Sequence, residues 1–102
     1  MCGIVGYWDK NGIDASIVER MAMRIQHRGP DDAGIWLDEG PGLALAHRRL
    51  SIIDLSPAGH QPMVSPCGRF ILVYNGEIYN FPEIKKKFNI QTKTNTDTEI
   101  LL

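Results

Sequence analysis

The apolar residues of this chain come in short runs, each broken off by turn-forming residues, and this punctuation confines it to short strands and short helices. Ile4-Val5-Gly6-Tyr7-Trp8 is closed by Asp9 to Gly12 and predicts a buried strand. Gly34-Ile35-Trp36-Leu37-Asp38 and Gly42-Leu43-Ala44-Leu45-Ala46-His47 flank Glu39-Gly40-Pro41 and read as a β-hairpin. Phe70-Ile71-Leu72-Val73-Tyr74, polar only at the Tyr hydroxyl, predicts a central strand. Helical spacing recurs in Ile17, Met21 and Ile25, with Val18 and Ala22 beside them. Asp14 is placed to cap that helix and Gly29-Pro30 to stop it; its Met and Ile stripe is expected to face the core.

Between these runs, Asp54 to Pro66 carries three prolines and one glycine and reads as an extended loop. Pro82 suits the first position of a short helix through Lys87, with Lys85-Lys86-Lys87 as its solvated face. Thr96-Asp97-Thr98-Glu99 matches a capping box, which would open an apolar helix face at Ile100-Leu101-Leu102. The sequence stops about one turn later, too short for an isolated helix, so a fragment of a longer protein is expected.

At 102 residues the chain holds at most one domain. A hydrophobic content of 43% and a charged content of 23% are those of a soluble globular protein. A net charge of −1 gives no reason to expect nucleic acid or an anionic membrane as partner. No apolar run approaches the roughly 20 residues that span a bilayer. No signal peptide is legible, so a cytoplasmic location is expected. A reducing cytosol argues against pairing the two cysteines. Cys67, in the turn Ser65-Pro66-Cys67-Gly68, reads as an exposed inert thiol. His27, His47 and His60 lie in different motifs, without metal-ligand spacing, so no metal is expected.

The chemistry starts at Cys2, directly behind Met1 in Met1-Cys2-Gly3-Ile4-Val5-Gly6. Met is commonly trimmed before a small residue, and Cys2 would then carry both a thiol and a free α-amine. Their ordinary pKa values are about 8.5 and 7.7–8.0, so the amine can take the thiol proton near neutral pH. This is a nucleophile with a built-in base. An internal cysteine, with only an amide nitrogen, has none, and a free cysteine is more often a small buried hydrophobe.

By composition, Tyr74-Asn75-Gly76-Glu77-Ile78-Tyr79 would be a hairpin centred on Asn-Gly. The same pair offers a side-chain amide and a backbone N–H that could stabilise a developing oxyanion. Arg48-Arg49-Leu50-Ser51-Ile52-Ile53 leaves a strand for a loop, where a guanidinium could clamp a carboxylate in two parallel hydrogen bonds. A pair of surface arginines is the commoner outcome for Arg-Arg alone.

These segments together make a specific resemblance. The matching motifs are Cys2-Gly3-Ile4-Val5-Gly6, His27-Arg28-Gly29-Pro30-Asp31, His47-Arg48-Arg49-Leu50-Ser51-Ile52-Ile53-Asp54, Ala58-Gly59-His60-Gln61-Pro62-Met63, Asn75-Gly76-Glu77-Ile78-Tyr79-Asn80 and Asp97-Thr98-Glu99. In this order, across nearly the whole chain, they resemble the N-terminal glutaminase domain of glutamine-hydrolysing asparagine synthetases. Those are class II glutamine amidotransferases of the N-terminal-nucleophile hydrolase superfamily. The resemblance implies an α+β fold, a four-layer αββα sandwich represented by its N-terminal part. It implies that Cys2 attacks the side-chain amide carbon of glutamine, and that Asn75 and the Gly76 N–H form the oxyanion hole. Arg49 would bind the α-carboxylate, Asp97 the α-ammonium, and Glu77 would contribute to that end of the pocket. Main-chain groups near Leu50 and Ile52 would line it. Arg28 and Asp31 would serve structure or domain contact.

The resemblance also sets bounds. The stretch from Asn80 to Asp97 is shorter than usual in the family. The family's glutaminase domain is nearly twice this long, and the synthetase domain that follows it, with its expected ATP and Mg2+, is absent from this sequence. No cofactor is expected in the 102 residues themselves. The expected partners are glutamine, the synthetase domain of the same parent chain and, for the full-length protein, a second copy in a homodimer. Asparagine synthesis from aspartate, amidation of another carboxylate acceptor, and an inactive binding remnant stay open as alternatives.

Overall fold

A computed structural model describes residues 1–52 and 55–102. Ile53 and Asp54, the end of the motif that begins at His47, lie outside the described residues. The fold is mixed α and β. Strands β1 (Gly3–Trp8), β2 (Asp32–Asp38) and β3 (Leu43–Arg49) form one antiparallel sheet in the order β1-β3-β2. The predicted hairpin is β2–β3, and the predicted first strand is β1.

Alternation along β3 divides its side chains between two layers. Ala44 and Ala46 are fully buried against Val18 and Ala22 of helix α1 (Ala15–Arg24), and Val5, Tyr7, Ile13 and Leu37 pack around them. His47 and Arg49 point to the opposite face and are also buried. Asp14 caps α1 as expected, its carboxylate accepting from the Ser16 N–H at 2.9 Å. Tyr7 steadies the cap, its hydroxyl bonding both Asp14 backbone groups, at 2.7 and 2.9 Å.

The helix differs from expectation in two ways. Its buried contact line is Val18–Ala22, beside the expected stripe, of which Ile17 is 38% exposed and Met21 and Ile25 are half-buried. Alanines on the sheet bring the helix close, and one i,i+4 pair fills the contact; a residue one position away is turned by about 100°. The helix also ends at Arg24, and a 3-10 turn over Gln26–Arg28 carries the chain to Gly29.

Beyond residue 54 regular structure is sparse. The expected loop holds a 3-10 turn at Pro57–Gly59 and strand β4 (Met63–Val64). β4 pairs only with β5 (Ile71–Leu72). Phe70–Tyr74 is therefore no central strand among the described residues: β5 has one neighbour, and Phe70 is 54% exposed. An all-apolar run marks a strand's propensity, whereas centrality needs a partner on each edge. Helix α2 (Phe81–Lys87) has Pro82 at its second position, not its first, with Lys86 and Lys87 exposed.

The last helix, α3 (Thr98–Leu101), starts without the capping box. Asp97 occupies the cap position, and its side chain bonds none of the helix's own N–H groups. The Glu99 carboxylate turns back instead, accepting from the Lys93 and Thr94 N–H groups at 2.8 Å each. Burial works to raise the Glu99 pKa, but these bonds outweigh it and hold the carboxyl below its ordinary value.

Candidate active site

β1 and β3 run antiparallel with Gly3 opposite Arg48, so the start of β1 and the end of β3 meet at one end of the sheet. Cys2, Arg49 and Leu50 are thereby neighbours. The Cys2 thiol accepts from the Leu50 N–H at 3.3 Å and lies 3.7 Å from the Leu50 carbonyl.

The motif His27–Asp31 braces this junction. Arg28 Nε donates to the Cys2 carbonyl at 3.0 Å and Arg48 Nε to the Gly29 carbonyl at 3.0 Å. Asp31 donates its N–H to the Arg49 carbonyl at 3.0 Å, and its carboxylate accepts from the Ser51 N–H at 2.8 Å. Arg28 and Asp31, expected to serve structure or domain contact, here hold backbone groups of the junction.

A cleft of about 70 Å³ opens beside Cys2. Cys2, Arg49, Leu50 and Ile52 line it from the sheet side, Gly76, Glu77 and Asp97 from the other. Asn75 is half-buried in the same segment, between lining residues Tyr74 and Gly76, but does not itself line the cleft. The Asn-Gly hairpin does not form. A type I′ turn needs positive φ at both central residues, and neither Asn75 nor Gly76 has it. Gly76 answers a close approach instead: a Cβ there would stand 2.6 Å from the Tyr74 hydroxyl.

The charged groups sit at fixed places. Arg49 is 7% exposed, not a surface arginine, and its Nη1 donates to the Ser56 carbonyl at 2.7 Å. The guanidinium lies against Gly59, where any Cβ would come within 2.2 Å of Nη2. Asp97 is 5% exposed, and its Oδ2 accepts from the Ile78 N–H at 2.7 Å. The cleft thus presents a thiol, a buried cation and a buried anion.

The family of glutamine amidotransferase domains matches residues 1–102. The chain belongs to that family. It is 43% identical over 120 residues to a Methanocaldococcus jannaschii protein named Putative asparagine synthetase (glutamine-hydrolyzing) 2, covering 100% of this chain and 23% of that one. Asparagine synthetase (glutamine-hydrolyzing) 1 of Bacillus subtilis is 36% identical over 110 residues, covering 100% of this chain and 17% of its own length. Amidase chry2 of Gibberella zeae is 39% identical over 97 residues, covering 90% of this chain and 14% of that protein. The chain therefore spans under a quarter of the length of each of these relatives.

Further residues around the cleft carry no site signal in the sequence. Gly59, Gln61, Tyr74, Thr96 and Thr98 line it as well. Gly59 and Gln61 lie inside the matching motif Ala58–Met63, whose wording points to no role for them. Thr96 and Thr98 were absorbed by the capping-box pattern. His47 sits behind the cleft, 1% exposed, with Nε2 3.1 Å from the Tyr74 carbonyl. Burial pushes its pKa below the ordinary value, so the ring is neutral near neutral pH.

The remaining titratable candidates lie elsewhere. His60 Nδ1 is paired with Asp32 Oδ2 at 2.6 Å. Cys67 is exposed as expected, and its contact with the Ser65 hydroxyl lowers the thiol's pKa. No helix among the described residues is long and apolar enough to cross a membrane.

Proposed function

We propose that this chain is the glutamine-hydrolysing part of an asparagine synthetase, releasing ammonia from the glutamine side chain. The observation that carries the reading is the meeting of Cys2, Arg49 and Asp97 at one cleft, in a chain of the glutamine amidotransferase family. Glutamine as a free amino acid is a zwitterion. Arg49 takes its α-carboxylate and Asp97 its α-ammonium, with Glu77 beside them, which leaves the side-chain amide at Cys2.

Removal of Met1, which is 70% exposed, frees the Cys2 amine to act as base. The amine takes the thiol proton, and sulfur attacks the amide carbon to give a tetrahedral oxyanion. The Gly76 N–H and the Asn75 amide stabilise that oxyanion. The proton passes to the leaving nitrogen, the C–N bond breaks, and ammonia departs from a thioester. Water then adds to the thioester and releases glutamate and the free thiol.

On this reading the fold is the N-terminal part of an αββα sandwich, the location is cytoplasmic, and a synthetase domain uses the ammonia to amidate aspartate. ATP and Mg2+ belong to that domain. Among the described residues no three His, Cys, Asp or Glu side chains gather as metal ligands, and no step above runs through a metal. The likeness to Amidase chry2 favours a second reading, in which the same glutaminase serves another acceptor.

Cys2→Ala in the protein as encoded tests the assignment. Glutamine hydrolysis should fall to background, while intact mass of the wild type should show Met1 removed and one glutamine-shaped electrophile on Cys2. Hydrolysis persisting in the variant would overturn the role of Cys2.

A further inference from the structure

The segment that carries the proposed oxyanion donors is not held by a sheet. β5 ends at Leu72, so the backbone at Tyr74 has left the ladder before Asn75 and Gly76 begin. Two side chains from distant parts of the chain take over. The Tyr74 N–H donates to Gln61 Oε1 at 2.7 Å, and His47 Nε2 lies 3.1 Å from the Tyr74 carbonyl. A carbonyl only accepts, so Nε2 bears the proton and Nδ1 is the bare nitrogen of a neutral ring.

His47 is 1% exposed, and its Nδ1 has no hydrogen-bond partner among the described residues. An apolar side chain would avoid that unpaired acceptor, so the ring's presence calls for a reason, which the bond at its other nitrogen supplies. Gln61 is 6% exposed, and both ends of its amide are engaged: Oε1 by Tyr74, Nε2 as donor to Thr98 Oγ1 at 3.3 Å. A continuous connection therefore runs from β3 through Tyr74 and Gln61 to α3, where Asp97 stands.

We propose that His47 and Gln61 are positioning residues: by gripping both peptide groups of Tyr74, they aim the Asn75–Gly76 donors at the Cys2 cleft. The inference rests on the glutaminase reading. Gln61 borders the cleft but acts through Tyr74 and Thr98, since its amide is already in use; His47 acts through Tyr74 from behind.

The test is steady-state glutamine hydrolysis by the protein as encoded, normalised to the fraction of Cys2 titrated by a diazo-ketone analogue of glutamine. Misaimed donors slow chemistry more than they weaken binding. Gln61→Met and His47→Leu should each lower kcat about 10- to 100-fold per titrated site, with KM within about three-fold of wild type. His47→Gln, whose amide nitrogen reaches the place of Nε2, should recover most of the kcat lost in His47→Leu.

Normal kcat per titrated site in both variants would overturn the inference, because the bonds would then serve folding alone. A loss seen only in the titratable fraction, or a rise in KM matching the fall in kcat/KM, would overturn it equally. Wild-type protein that neither hydrolyses glutamine nor labels at Cys2 would bring down the glutaminase reading, and this inference with it. That outcome is distinct from an active wild type with unaffected variants.

Discussion

The two halves of this molecule are held together by different forces. Residues 1–52 form a three-stranded sheet with one helix on it, joined by backbone ladders and by the apolar contact of Val18 and Ala22 with Ala44 and Ala46. Residues 55–102 have one two-residue strand pair and two short helices. Between these short elements side chains tether the backbone at several points: Gln61 on Tyr74, Asp97 on Ile78, Glu99 on Lys93 and Thr94. The cleft lies where the halves meet, with the thiol and the arginine on the ladder side and Asp97 on the side-chain-held side. Cys2 stands at the ladder-held part, and Gly76, Glu77 and Asp97 on the part where polar side chains tether the backbone.

That contrast breaks most visibly at Asp97. Asp97→Asn keeps an oxygen for the Ile78 N–H but removes the negative charge, so the loop should hold while glutamine binding weakens. A charged hydrogen bond of about 1.5–3 kcal/mol corresponds to a KM increase of roughly 10- to 150-fold. A KM unchanged in glutamine titrations would remove Asp97 from the α-ammonium site.

The converse applies across the cleft. Val18→Ala empties part of a fully buried contact and should cost about 2 kcal/mol in urea unfolding, with KM for glutamine unchanged. Were the variant to keep its stability and lose glutamine affinity instead, the division into an apolar half and a polar half would be wrong.

The smallest effect concerns pH. Burial holds His47 below its ordinary pKa of about 6.5, while Arg49 and His60 lower it further against the pull of the Tyr74 carbonyl and Asp32. The unfolded chain therefore takes up this proton more readily than the folded one. The His47 contribution is full above about pH 6.5 and is lost as pH falls towards the folded value. Glu99, also depressed, keeps its contribution down to about pH 4.3 and loses it below. Thermal melts should thus show an early acid limb that His47→Gln flattens and a later one that Glu99→Gln flattens; a single limb untouched by either change would contradict both.

Local pattern carried much of this far. The strand at Ile4–Trp8, the β2–β3 hairpin, the Asp14 cap and the pairing of Val18 with Ala22 on one helix all follow from spacing within a few residues. Pattern failed where a motif had two uses. Asn75-Gly76 has hairpin wording but ordinary backbone angles, and Thr96 to Glu99 has the wording of a capping box while Glu99 bonds backward to residues 93 and 94. In the first case contacts across the fold, to Tyr74, competed with the local pattern and won; in the second, bonds five and six residues back did.

The motifs by themselves determined the family, and with it Cys2, Arg49 and Asp97 as the residues to watch, because chemistry needs those side chains whatever holds them. Only the tertiary structure decided how the cleft is built. His47 reaches Tyr74 across 27 positions, Gln61 reaches Thr98 across 37, and Cys2 reaches Leu50 across 48. Periodicity reports which face of an element is apolar, over one or two turns or strands. It has no means of reporting a polar side chain that crosses the fold to take another segment's backbone, and such contacts shape this site.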